Sequence, residues 1–175
     1  MKIRPFKEAL VLAVGTTPQI ITETICALVQ QKPPVVPDRL TIVTTTAGRK
    51  AVQEKLLANG VFTQFTREFA LPSLALQDDH IIVPHHASGH EIDDITSTAE
   101  SEAMGDLITS LIRDLTSEPE TRLHCSIAGG RKTMSFYMGA ALQLFGRPWD
   151  RLYHVLVSPE FESNPHFFSN RKETG

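Results

Sequence analysis

The chain has 175 residues, of which 41% are hydrophobic and 21% charged, and its net charge is −3. That composition fits one soluble globular domain over residues 1–175, long enough to bury a core. A long nucleic acid calls for a broad basic surface, so none is expected as a partner, while a small anion needs only a few well-placed cations.

Ala9-Leu-Val-Leu-Ala-Val14 is a continuous apolar run ending at Gly15 and reads as a buried parallel strand. The run is too short, and too soon broken, for a signal peptide. No stretch is long enough to span a membrane, so a cytoplasmic protein with no membrane partner is expected. Thr16 and Thr17 precede Pro18, which suits the first turn of a helix carrying Ile20, Ile21, Thr24, Ile25, Leu28 and Val29. Lys32-Pro-Pro34 and Pro37 end that helix and form a stiff connector.

Leu40-Thr-Ile-Val-Thr-Thr45 is β-branched and predicts a second strand. Ala47-Gly-Arg-Lys50 opens a second helix with Val52, Leu56 and Leu57 on one face, stopped at Asn59-Gly60. Val61 to Leu76 is mixed and predicts a short strand or loop. Asp79 to Pro84 predicts a strand, and residues 85–96 a polar loop. Ser97 or Thr98 caps a helix with apolar positions from Ala99 to Leu115. Leu123 to Ala128 predicts a strand, Gly129-Gly-Arg-Lys132 a turn, Thr133 to Phe145 a helix, and Tyr153 to Val157 a last strand. Alternating strands and helices predict an α/β fold, a mostly parallel sheet with helices on both faces. Cys26 and Cys125 lie in apolar stretches and are expected as buried free thiols.

In an open α/β sheet, ligands bind beyond the carboxyl ends of the strands. Three turns fall there: Gly15 to Gln19, Thr44 to Lys50, and Ala128 to Thr133. Each opens a helix, whose N-terminal N–H groups suit an anion. Paired glycines let backbone approach a phosphate closely. Arg131 adds a planar fork and Lys132 a mobile point charge. Cations oppose the helix dipole at that end, and a local cost of this kind points to use. Thr44-Thr-Thr-Ala-Gly-Arg-Lys50 is a weak echo of Ser126-Ile-Ala-Gly-Gly-Arg-Lys132. Arg49 and Lys50 read as solvated charges. The Walker and dinucleotide glycine patterns both fail, which disfavours ATP and NAD. His80, His85, His86 and His90 with Asp78, Asp79, Glu91, Asp93 and Asp94 form a polar cluster without regular metal-ligand spacing. It reads as a loop that could cover the pocket.

Gly15-Thr-Thr-Pro-Gln-Ile-Ile-Thr-Glu-Thr24, Ile127-Ala-Gly-Gly-Arg-Lys-Thr-Met134 and Asp150-Arg-Leu-Tyr-His-Val-Leu-Val157 together resemble the CRISPR-associated ring nucleases of the CARF superfamily. The resemblance runs from the first strand to about Phe168. It implies a Rossmann-like (CARF) domain that forms a homodimer, with one symmetric pocket built from two copies. The implied ligand is a cyclic oligoadenylate, most often cyclic tetra-adenylate, made by type III CRISPR complexes during phage infection. Ring nucleases cut this ring and switch the response off. They use no metal or cofactor, and the ribose 2′-OH attacks the adjoining phosphate to leave a 2′,3′-cyclic phosphate.

Carried onto this sequence, the resemblance makes Lys132 and Thr17 the catalytic pair. Lys132 stabilises charge on the phosphorane and Thr17 holds the ribose or phosphate. The first turn contributes Gly15, Thr16, Pro18 and Gln19 to the ligand, the second Thr45 and Thr46, and the third Ala128, Gly129, Gly130, Arg131 and Thr133. The same resemblance covers CARF sensors, which bind the ring and regulate an effector. A sensor needs something to control, so a single domain makes the enzyme the expected reading.

Overall fold

The computed structural model describes residues 6–154. Five parallel strands form one sheet in the order β3-β2-β1-β4-β5. They are β1 (Lys7–Ala13), β2 (Arg39–Val43), β3 (Ile81–Ile82), β4 (Thr121–Ser126) and β5 (Arg151–Tyr153). The helices are α1 (Gln19–Val29), α2 (Thr46–Val52), α3 (Val61–Glu68), α4 (Thr98–Thr116) and α5 (Lys132–Phe145). This is the α/β Rossmann-like architecture that the alternating pattern predicts.

Strand β1 is central because every residue after Lys7 and Glu8 is a small or branched hydrophobe buried on both sides. Its even positions, Leu10 and Leu12, join Ile21, Ile25, Leu56, Phe62 and Phe65 in one core. Its odd positions, Ala9, Val11 and Ala13, join Met104, Ile108, Met134 and Met138 in another. So α1, α2 and α3 cover one face, and α4 and α5 the other. Cys26 and Cys125 are buried free thiols, and burial pushes the Cys125 thiol up.

Three sequence expectations are corrected. Residues 61–68 form α3, where a strand or loop is expected. Phe62 and Phe65 face the core and Phe69 stacks on Phe65, a helical spacing too short to read without its neighbours. The strand expected from Asp79 to Pro84 shrinks to Ile81–Ile82, because Asp78–His80 form a 3₁₀ turn. The strand expected at Tyr153–Val157 begins earlier, at Arg151, and its residues after 154 lie outside the described region.

The topology fixes one special place. From β1 the chain turns towards β2, and from β4 it turns towards β5, so connections leave these neighbours in opposite directions. Their carboxyl ends therefore part to leave a crevice, the topological switch point at which α/β sheets bind ligands.

Candidate functional site

The turns after β1 and β4 meet at this crevice. A Cβ built on Gly15 would lie 3.6 Å from the Gly130 Cα. Gly130 has a φ of +76°, a left-handed conformation that glycine adopts without penalty. Gly129 packs still closer: a Cβ there would lie 2.7 Å from the Ala13 carbonyl oxygen and 3.0 Å from the Ile20 Cγ2. The glycines thus fit two turns together. Thr44 ties in β2, its hydroxyl donating to the Val14 carbonyl at 2.6 Å.

Thr17 lies two residues after Gly15, and Lys132 two residues after Gly130. Thr16, Thr17, Gly130, Arg131, Lys132 and Thr133 are exposed, Gly15, Ala128 and Gly129 are half-buried, and Pro18 and Gln19 are buried. The side chains of Thr17 and Lys132 make no hydrogen bond or ion pair among the described residues. Beneath the third turn, the buried hydroxyls of Ser126 and Thr24 approach to 3.4 Å, and the Ala128 N–H donates to Ser126 at 3.5 Å.

Four helices start at this edge of the sheet, and their first turns differ. Thr45 caps α2, accepting the Gly48 N–H at 3.4 Å. Segment 92–93 covers the same end: the Thr46 N–H donates to the Ile92 carbonyl at 3.0 Å and the Thr46 hydroxyl to Asp93 at 2.5 Å. Ser97 caps α4 in a capping box with Glu100. Glu100 accepts from the N–H groups of Thr96 and Ser97 and from the Thr96 hydroxyl, which holds its carboxyl at about 2. The N-cap residues of α1 and α5, Pro18 and Arg131, supply no side-chain acceptor: the Ile21 N–H donates to the Pro18 carbonyl at 3.1 Å, the Met134 N–H to the Arg131 carbonyl at 3.0 Å, and the Arg131 N–H to the Met134 Sδ at 3.4 Å. These two helices flank the crevice. At α5 the Lys132 and Thr133 N–H groups begin the helix beside the crevice, where an anion can approach.

The polar loop is built onto this edge. The His86 N–H donates to the His90 carbonyl at 2.8 Å, His85 and Glu91 form an antiparallel bridge, and Ile92 is fully buried. Beyond it, Arg49 makes a two-pronged pair with Glu91, Nη1 to Oε1 at 2.7 Å and Nη2 to Oε2. Arg131 makes the equivalent pair with Asp94, Nε to Oδ1 at 2.8 Å and Nη2 to Oδ2. The Arg131 bond and the Ile95 N–H hold the Asp94 carboxyl below its ordinary value. Arg49, expected as a solvated charge, is instead anchored. The described residues contain no group of three or more ligands suited to a metal ion.

A cavity of about 670 Å³ opens between the starts of α4 and α5, lined by Thr96, Ser97, Thr98 and Ser101 on one side and by Gly130 to Thr133 on the other. Lys55 is a further cation at the site. It sits on a π-helical turn, Gln53–Leu57, that continues α2, and its Nζ donates to the Thr16 carbonyl at 3.2 Å. Neither Lys55 nor the hydroxyls of residues 96–101 stand out in the sequence, since each needs the packing of α2 and α4 against the turns. The carboxylates at 91–94 are visible as a cluster, but not their arginine partners.

The family described as CRISPR-associated protein NE0113 matches residues 17–175, from Thr17 onward through the Gly129–Lys132 turn. The chain belongs to that family. The match begins inside the first turn of the crevice, at Thr17, and covers the whole of the Gly129–Lys132 turn. No curated protein sequence matches the chain. Among the described residues, no helix of this CRISPR-associated protein is long and apolar enough to cross a membrane.

Proposed function

We propose that this CRISPR-associated protein binds a cyclic oligoadenylate at the crevice between β1 and β4 and cleaves it as a ring nuclease. The observation that carries this reading is the meeting of two glycine turns at the switch point, with the exposed Thr17 on one and the exposed Lys132 on the other. A phosphodiester carries one negative charge and two bare oxygens, which suit first-turn N–H groups and a nearby ammonium.

In the proposed reaction the ribose 2′-oxygen attacks the adjoining phosphorus in line. The 2′-O–P bond forms, the P–O5′ bond breaks, and the 2′-OH proton ends on the leaving 5′-oxygen. The products are a 2′,3′-cyclic phosphate and a 5′-hydroxyl, and no water is consumed. Nucleophile and electrophile belong to one molecule, so positioning supplies much of the rate. The Thr17 hydroxyl hydrogen-bonds ribose or phosphate, and the Gly129–Gly130 backbone lets the phosphate approach. Lys132 neutralises the extra charge of the phosphorane, an interaction strongest in the transition state. A homodimer would present these groups twice to a twofold ring.

The test is incubation with cyclic tetra-adenylate in excess EDTA, followed by separation of the products. Linear products ending in 2′,3′-cyclic phosphate are expected. An intact ring that nevertheless binds would leave a sensor, and no binding would remove both readings.

A further inference from the structure

The proposed reaction leaves one conspicuous arrangement unused: both arginines at the carboxyl edge already grip a carboxylate. Arg49 is the fourth residue of α2 and Arg131 the N-cap of α5, and each meets an acidic residue of segment 91–94 in two-pronged geometry. A carboxylate offers the guanidinium fork two oxygens in a plane, and so does a phosphodiester.

The two pairs differ in their setting. The Arg49 and Glu91 side chains are 29% and 34% exposed, and the adjoining Thr46–Asp93 bond and the buried Ile92 hold the same stretch in place. The Arg131 and Asp94 side chains are 52% and 44% exposed, and Arg131 lines the cavity that Lys132 also lines. An exposed ion pair is weak, since water and salt compete for both partners. The Arg131 fork is therefore exchangeable, whereas the Arg49 fork is an anchor.

We propose that Asp94 is a built-in competitor for the ligand's phosphate: it holds the Arg131 fork until a phosphodiester displaces it, while Glu91 and Arg49 keep the backbone of the segment in place. The exchange needs only a swing of the Arg131 side chain away from Asp94, whose Oδ1 keeps the Ile95 N–H. The Ile92 N–H bonds the Pro84 carbonyl at 2.9 Å and the Ile92 carbonyl accepts from Thr46, so the backbone stays fixed. Asp94 thereby sets the threshold for anions at Arg131. A singly bound ion gains too little to displace it, and a phosphodiester also held by Lys132 and the α5 N-terminus gains enough. The inference rests on the crevice being a phosphate site, but not on the ligand being a ring.

The experiment compares wild type, Asp94→Asn and Asp94→Asn/Arg131→Ala for binding of pyrophosphate and of cyclic tetra-adenylate at low salt. Asparagine keeps the oxygen that accepts the Ile95 N–H at 2.8 Å, so the local turn is preserved. Asp94→Asn is expected to bind pyrophosphate about three- to tenfold more tightly than wild type. The gain should vanish when Arg131 is also removed. Unchanged or weaker pyrophosphate binding by Asp94→Asn overturns the proposal, as does a gain that survives loss of Arg131. If pyrophosphate shows the gain and the cyclic ring binds neither protein, the competitor stands and the ring reading fails.

Discussion

Gly15 and Gly130 meet backbone to backbone across the switch point, with 3.6 Å between a Cβ built on the first and the Cα of the second. Through that contact two helices on opposite faces of the sheet start beside one another. It places Thr17 and Lys132 on adjoining turns although 115 positions separate them in the chain (132 minus 17).

The fit leaves no room for a methyl group at the neighbouring Gly129. A Cβ at 2.7 Å from the Ala13 carbonyl oxygen must displace backbone, since neither partner is a flexible side chain tip. Gly129→Ala is expected to destabilise the fold by about 1–3 kcal/mol. Urea unfolding measures it, and ring cleavage should fall further than stability does because the two turns part.

Acid should weaken the fold through a buried network on β1, β4 and β5. His124, 1% exposed, contacts Glu8 at 2.7 Å through Nε2 and the Tyr153 hydroxyl at 3.0 Å through Nδ1. A neutral imidazole satisfies both, its Nε2–H donating to Glu8 and its Nδ1 accepting from Tyr153. Burial lowers the His124 pKa from 6.5, against the opposing pull of Glu8. Burial alone would raise Glu8, but hydrogen bonds from Arg122 and His124 outweigh it, and the net shift is below 4.5. Both groups bind more protons unfolded than folded, so both contributions are present at neutral pH and lost on acidification. Loss from His124 starts as pH falls below about 6.5 and loss from Glu8 below about 4.5, each continuing until its folded pKa is passed. The melting temperature should fall across that range, and Glu8→Gln should flatten the lower part of the curve.

At the other end of the sheet, Asp150 organises the entry to β5. Its carboxylate accepts the Leu123 N–H at 2.8 Å and the Arg147 N–H and Nε at 2.8 and 2.9 Å. Arg147 in turn donates to the carbonyls of Glu118 and Thr121 at 2.6 and 2.7 Å. Asp150→Ala strands a mostly buried guanidinium and a buried N–H, at a cost of about 3 kcal/mol. Chemical denaturation checks this. The site lies at the opposite end of β4, so residual folded protein should bind the ring with unchanged affinity.

The strands and most helices are legible because their signals are local. Ala9–Val14 reads as a buried strand, and Ser97 or Thr98 as the cap of α4, of which the structure uses Ser97. Helix α3 is missed because eight residues with three inward side chains carry too little periodicity. The site is legible as turns, since glycines and cations at helix starts contradict local preference. What the sequence hides is long-range pairing. Asp94 and Arg131 lie 37 residues apart and Lys55 and Thr16 lie 39 apart. Each pair depends on how the edge of the sheet closes, and no spacing rule announces it.

The central claim is that Lys132 acts on the transition state rather than on binding alone. The direct measurement is single-turnover cleavage and equilibrium binding of cyclic tetra-adenylate by wild type and Lys132→Ala, in EDTA. Loss of one well-placed cation predicts a cleavage rate lower by about 10²–10³-fold with binding weakened by no more than about tenfold. Equal losses in rate and affinity, or an unchanged rate, would contradict the account.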